Sequence, residues 1–282
     1  SKGELVNEEL LTQSDEPNGT ETIFRPDVAI FEEYRYVSEH IEAMLKNYVY
    51  LHSGLRIIFN GKTYYSKNGL LDLLSENMTS PGLYEIIHLK DADLEVAITH
   101  GNQYGEEYYT FVNGQFTKQG GSHLLAFREA IVKTVRDFYQ KDYDISDIRS
   151  SIVAAVSIKI EDPVFESQTK TKLGSKNMSP DGKSIRNYVM DFMTTKLDNY
   201  LHRNEETAEI LQKKIQENEK ERKAISGIKK IARERAKKVS LHNKKLRDCR
   251  IHYNTKHDRR EESTIFITEG DSASGSITKS RH

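Results

Sequence analysis

Two short stretches carry side chains whose types and spacing suit phosphate chemistry. The first is Ser167-Gln168-Thr169-Lys170-Thr171-Lys172-Leu173-Gly174, which follows an apolar run and Asp162-Pro163. A lysine on a loop at a strand end can reach a phosphate. Its ammonium offsets charge during phosphoryl transfer, and a glutamine amide such as Gln168 can orient an oxygen. From spacing alone, lysines on a surface loop are more commonly just solvated. The second stretch is Glu269-Gly270-Asp271-Ser272-Ala273-Ser274-Gly275, which follows Thr264-Ile265-Phe266-Ile267-Thr268. That pattern predicts a buried strand delivering Glu269 to its carboxyl end, where open α/β sheets bind ligands. A carboxylate there can hold Mg²⁺ or move a proton, and the small residues let backbone approach a phosphate or metal. The bland alternative is a strand-to-helix turn capped by Asp271 or Ser272. One acidic residue does not make a two-metal site.

A third feature is electrostatic. Residues 1–210 hold 22 Lys and Arg against 33 Asp and Glu, whereas residues 211–260 hold 18 against 6. The formal net charge of −1 therefore conceals an acidic body and a basic block. Such a block points to a polyanion, or to a solvated helix face. Lys229, Lys230, Arg233 and Lys237 fall within it and, if the polyanion is duplex DNA, are the cations that would face it. Each phosphate contact releases counterions, so binding should depend steeply on salt, with no base-specific readout. Cys249-x-x-His252 with His257 imitates part of a zinc set but lacks a fourth ligand.

The elements that must position these residues read as α/β. Gln13–Gly19 is a loop, and Thr20–Asp27 looks like a strand stopped by Pro26. A helix is predicted over 37–51, with Ile41, Met44, Leu45 and Tyr48 on one face. Leu55–Phe59 followed by Asn60-Gly61 signals a hairpin. A short helix is expected near 69–74, and strands at Leu94–His100 and Tyr108–Val112. Gly120-Gly121-Ser122-His123 opens a helix with Ser122 as N-cap and a stripe of Leu124, Arg128, Ile131, Val135 and Phe138. Ile152–Ile160 is apolar nearly throughout, the pattern of a central strand covered on both faces. Ile185, Val189, Phe192, Lys196 and Tyr200 mark another helix. A long one over about 208–240 carries a thin stripe of Ile225, Ile228, Ala232, Arg235 and Val239, as an arm docked along one side would.

Composition sets the outer bounds. The 282 residues include 30% charged and 36% hydrophobic side chains, and the mean hydropathy is −0.69. No apolar run reaches the roughly 18 residues of a membrane span. Ser1–Leu5 does not read as a signal peptide. The single cysteine excludes an internal disulfide and suits a reducing compartment.

Taken in order, Gly19-Thr20…Phe24-x-Pro26-Asp27, Gly120-Gly121-Ser122-His123, Gln168-Thr169-Lys170, Leu241-His242-Asn243-Lys244-Lys245-Leu246-Arg247-Asp248-Cys249 and Glu269-Gly270-Asp271-Ser272-Ala273 resemble the ATPase-side component of bacterial type IIA DNA topoisomerases (gyrase B and topoisomerase IV B). The resemblance spans essentially the whole chain. It implies the tail of a GHKL ATPase domain over 1–27 and an S5-like transducer domain over 28–240. A basic linker over 241–261 and the first strand of a Rossmann-like TOPRIM domain over 262–282 would follow. It implies that Gln168 and Lys170 contact the ATP γ-phosphate, and that Glu269 binds Mg²⁺ and acts as general acid/base in strand cleavage and religation. The implied partners are double-stranded DNA, the A-type topoisomerase subunit carrying the nucleophilic tyrosine in an A2B2 heterotetramer, and a second copy through the ATPase domain. The implied setting is the bacterial cytoplasm, with no membrane.

Two departures accompany the resemblance. Neither the Asn- and Gly-rich motifs of the main ATP pocket nor the Asp-x-Asp pair of TOPRIM occurs here, so the chain alone is expected neither to hydrolyse ATP nor to cut DNA. Ser150-Ser151 also stand after Asp147-Ile148-Arg149 where Glu-Gly is commoner. Two other functions remain open at the level of sequence: a non-catalytic DNA-binding coupling module, and a TOPRIM nuclease or primase unrelated to ATP.

Overall fold

The apolar run beginning at Ile152 forms the middle strand of a five-stranded mixed sheet in the computed structural model, which describes residues 15, 18–242 and 249–279. The strands are β3 (Ile87–Lys90), β4 (Leu94–His100), β5 (Glu107–Val112), β6 (Gln115–Phe116) and β7 (Ile152–Ile158), ordered β3-β4-β7-β5-β6. β7 runs antiparallel to β4 and parallel to β5. The strands flanking the polar 101–106 loop are therefore not paired with each other; β7 inserts between them. Alternation explains why: Ile152, Ala154, Val156 and Ile158 face one core, while Val153 and Ala155 face the other.

Helices cover both faces. On the first lie α4 (Ser122–Tyr139), α5 (Ile145–Arg149), α6 (Ile185–Arg203) and the start of α7 (Glu205–His242). On the second lie α2 (Ser38–Leu51), α3 (Leu70–Asn77) and the hairpin of β1 (Arg56–Phe59) and β2 (Lys62–Tyr65). The Asn60-Gly61 turn forms as the sequence requires, both residues having positive φ (47° and 79°). A one-turn helix α1 (Val28–Phe31) precedes these elements, and α8 (Asp271–Lys279) ends the described chain. None of the described helices is long and apolar enough to cross a membrane.

Several expectations are corrected. Thr20–Asp27 and Thr264–Thr268 form no strand; Ile265 and Ile267 are 87% and 93% exposed. An apolar run becomes a strand only with a neighbour to bond, and no described segment pairs with either. Ser122 is the first residue of α4 rather than its N-cap. The capping position is Gly121, and the Ser122 hydroxyl donates to Ser175 O at 2.5 Å instead. The deeply buried face of α4 is Phe127, Ala130, Ile131, Thr134 and Val135, with Leu124, Arg128 and Phe138 only half-buried. In α2 the buried side chains are Val49 and Tyr50, while Met44 and Tyr48 are exposed, because only the last turn of that helix reaches the core.

The long helix differs most. Ala208, Leu211 and Ile215 are buried against the body, but Ile225, Ile228 and Ile231 are exposed. The arm is docked along its first half, through Arg222; Ile228 and Ile231 beyond it are exposed. The side chains of Arg235, Lys237 and Val239 lie outside the described residues. So do Asn243–Asp248, the Ser1–Leu5 segment and most of the Gln13–Gly19 loop.

Candidate functional site

β7 aims the chain at its first candidate site. Past Ile158, Asn113 brackets Ile160: its amide donates to Ile160 O at 2.7 Å and its Oδ1 accepts from Ile160 N at 2.8 Å. The chain then doubles back. Phe165 bridges Leu173 in antiparallel fashion, and Glu166 N donates to Lys172 O at 3.0 Å. The tip closes with Lys170 N donating to Ser167 O at 3.0 Å. Lys170 itself has φ +54°, a left-handed backbone that favours glycine. A non-glycine residue held there costs about 1–3 kcal/mol, and such outliers concentrate at functional sites.

This loop is fastened to the amino end of α4. Leu173 N donates to Gly120 O at 3.0 Å, Gln119 N to Thr171 O at 2.9 Å, and Ser122 N to Leu173 O at 3.3 Å. Ser175 Oγ accepts from Val164 N at 2.7 Å. Gly121, at φ +134°, has no room for a side chain: a Cβ would stand 2.6 Å from Leu173 N. Beneath this seam Thr110 and Thr117 exchange hydroxyl–carbonyl bonds of 2.7 and 2.8 Å, and Thr117 Oγ1 lies 3.2 Å from His123 Nε2. Burial pushes the His123 imidazole down to about 4, so the ring is neutral at pH 7. The Gly-Gly-Ser-His segment thus serves as the dock for the lysine loop.

Gln168 and Lys170 are both exposed at the tip of that loop. Lys170 Nζ lies 5.9 Å from the Phe165 ring centroid, within cation–π range. No described carboxylate pairs with it, whereas Lys172, two residues on, is paired with Glu166 at 2.9 Å. An exposed ammonium on a fixed backbone, with a nearby amide and no carboxylate partner, suits a phosphate group.

The basic arm is equally open. Lys229, Lys230 and Arg233 are exposed on α7 and form no described ion pair. Lys237 is helical, its side chain outside the described residues. Glu269 is exposed beside Gly270, where α8 begins. No described hydrogen bond or ion pair joins it to the lysine loop or the arm, and no three potential metal ligands gather among the described residues. Mg²⁺ is commonly held by one or two carboxylates, with waters and phosphate oxygens completing its octahedron, so the exposed Glu269 could serve as one ligand of such a site.

One feature escapes inspection of the sequence. Asp147 on α5 is buried and accepts two bonds from Arg222 on α7, at 2.7 Å from Nε and 2.9 Å from Nη2. The partners are far apart in sequence, and no periodicity links them.

Comparison with known proteins gives a consistent picture. The family model described as DNA gyrase B matches residues 38–231. The chain is 41% identical to the B subunit of DNA topoisomerase 4 from Borreliella burgdorferi over its whole length, covering 46% of that relative. It is 29% identical to the B subunit of DNA gyrase from Helicobacter pylori over 96% of this chain and 36% of that relative. The chain thus spans less than half the length of these curated relatives. Among solved structures, the 43K ATPase domain of Thermus thermophilus gyrase B, in complex with an aminocoumarin, superposes with a TM-score of 0.61 and 25% identity. The match covers 74% of this chain and 60% of that one. The topoisomerase IV ATP-binding domain of Francisella tularensis shares the fold, with a TM-score of 0.56 over 70% of this chain and 57% of that one, at 20% identity.

Proposed function

Because the chain belongs to the DNA gyrase B family, we propose that it is the coupling section of the ATPase-side component of an ATP-dependent type II DNA topoisomerase. In this reading residues 28–240 form the transducer domain, residues 1–27 end the GHKL ATPase domain, and residues 262–282 open the TOPRIM domain after a basic linker. Lys170 and Gln168 contact the terminal phosphate of ATP held by the ATPase domain. When bound, ATP supplies the phosphoryl group that is cleaved. Lys170 places a fixed positive charge where negative charge develops, and Gln168 orients an oxygen. Contact favours one of two orientations of the transducer, which the long helix carries towards DNA.

The observation that carries this reading is the placement of Lys170: exposed, unpaired among the described residues and held at φ +54° on a loop fastened to α4. Lys229, Lys230, Arg233 and Lys237 face double-stranded DNA through its phosphates. The A-type topoisomerase subunit supplies the nucleophilic tyrosine in an A2B2 assembly, and two copies close through the ATPase domain, all in the bacterial cytoplasm. Glu269 is carried as the TOPRIM glutamate on its motif alone, and no metal-dependent step is assigned to it.

The test is Lys170→Ala in the reconstituted holoenzyme. ATP turnover should fall at least a hundredfold while ATP-independent DNA relaxation or cleavage persists. Turnover within twofold of wild type would remove Lys170 from the site.

A further inference from the structure

Arg222 makes the last hydrogen bonds and ion pairs described between the arm and the body. One turn earlier, Asn218 donates to Asp147 O at 2.9 Å and lies 3.4 Å from Ser150 O. Arg222 then grips the Asp147 carboxylate through two guanidinium nitrogens. Its Nη1 also lies 3.7 Å from Asp144, whose carboxylate caps α5 through Ser146 N at 2.9 Å. Two successive turns of α7 thus hold both the main chain and the side chain of α5. Beyond them Ile225 and Ile228 are 50% and 68% exposed, so the arm stands free.

The Asp147 side chain is only 2% exposed. A buried carboxylate is costly unless paired, and an apolar contact of similar volume would stabilise the junction as well or better. What an arginine fork adds is direction: two parallel bonds to one carboxylate fix an angle that apolar packing does not. An open groove of about 400 Å³, lined by Tyr104, Ser150, Ile225 and Lys229 among others, flanks the pair. The arm has free space on that side, so packing does not set its angle there.

The pair also has a mechanical address. α5 passes through Ser151, at φ +67°, directly into β7. β7 is bonded on both edges and buried on both faces. At 3.3 Å per residue it spans roughly 23 Å. Its other end leads through Ile160 to the lysine loop. Asp147 thus lies on the element that leads into one end of β7, and Lys170 on the loop that the other end leads to.

We propose that the Asp147–Arg222 pair is a positioning clasp that fixes the direction in which α7 leaves the α/β body, so that displacement of the lysine loop reaches the arm as rotation instead of being lost at the junction. Its coupling role rests on the function proposed above; its control of the arm angle does not. The role assigned to Arg222 and Asp147 is positioning, exerted through α7.

The experiment uses the full-length protein within the reconstituted holoenzyme, with native cysteines replaced and spin labels at Lys196→Cys and Glu234→Cys. Asp147→Asn combined with Arg222→Gln removes both charges and the guanidinium fork while leaving polar side chains at both positions. The label-to-label distance distribution should at least double in width. Strand passage per ATP hydrolysed should fall tenfold or more, with the nucleotide KM unchanged within threefold. An unchanged width, or passage and turnover falling by the same factor, would overturn the clasp. Arg222→Lys keeps the charge without the fork and should broaden the distribution to an intermediate degree; wild-type width and coupling in that variant would also overturn it. Lys170→Ala separates the two ideas: if turnover survives, the nucleotide reading fails, while the distance widths still judge the clasp.

Discussion

Gly121 and Leu173 meet main chain to main chain as an isolated parallel bridge, with no space between them for a side chain. This contact fastens the Lys170 loop to the amino end of α4. Gly121→Ala introduces a Cβ at φ +134° against Leu173 backbone, which nothing flexible can relieve. The expected result is a loss of about 1–3 kcal/mol in stability and at least a tenfold drop in holoenzyme ATP turnover. Chemical denaturation and a coupled ATPase assay read the two effects. Turnover within twofold of wild type would show that the dock does not position Lys170.

Two buried histidines give the fold an acid limit. Burial lowers His100 to about 4, assisted by Lys214 and opposed by the bond to Ile148 O. Burial also lowers His123 to about 4. Both folded values lie below the unfolded value near 6.5. The unfolded chain therefore binds more protons between pH 6.5 and 4, and stability falls as pH drops through that window. Above pH 6.5 the contribution is complete. Each histidine contributes a slope of about 1.4 kcal/mol per pH unit there. Urea midpoints at pH 7, 6, 5 and 4 measure it, and His100→Gln should remove about half the histidine contribution to the slope. A slope untouched by His100→Gln would contradict this assignment.

The arm makes a purely electrostatic prediction. Changing Lys229, Lys230 and Arg233 to Glu should reduce the steepness of log affinity for duplex DNA against log salt by roughly 2 to 3. Adding Lys237→Glu should reduce it further. Fluorescence anisotropy over a salt series on the assembled enzyme measures this, and an unchanged slope would mean that the arm does not touch DNA. Random and defined duplexes should behave alike, since no described element offers base-edge readout.

How much of this was legible in the sequence depends on how local each signal is. β7 is readable because both of its faces are covered, leaving almost no polar residue between Ile152 and Ile158. The hairpin is readable because Asn60-Gly61 suits a turn with two positive φ values. The loop carrying Gln168 and Lys170 is readable by motif. What the sequence does not carry is the partner of each surface. Ile265 and Ile267 have strand composition but no described strand partner, and Ile228 and Ile231 have helical spacing but are exposed. Ser122 has the chemistry of a cap, but the strand-like bridge at Gly121 displaces it from that position. The Asp147–Arg222 pair joins residues 75 positions apart, and only the assembled fold brings them together.

The central claim is that Lys170 meets the terminal phosphate of a nucleotide. Its most direct test is the ratio of affinities for a non-hydrolysable ATP analogue and for ADP, measured by calorimetry on the wild-type and Lys170→Ala full-length proteins. A charge-assisted contact of about 1.5–3 kcal/mol corresponds to roughly tenfold to a hundredfold in affinity. Lys170→Ala should lower the analogue-to-ADP ratio by that factor and leave ADP binding unchanged. A ratio identical to wild type, or an equal loss of both nucleotides, would contradict the claim.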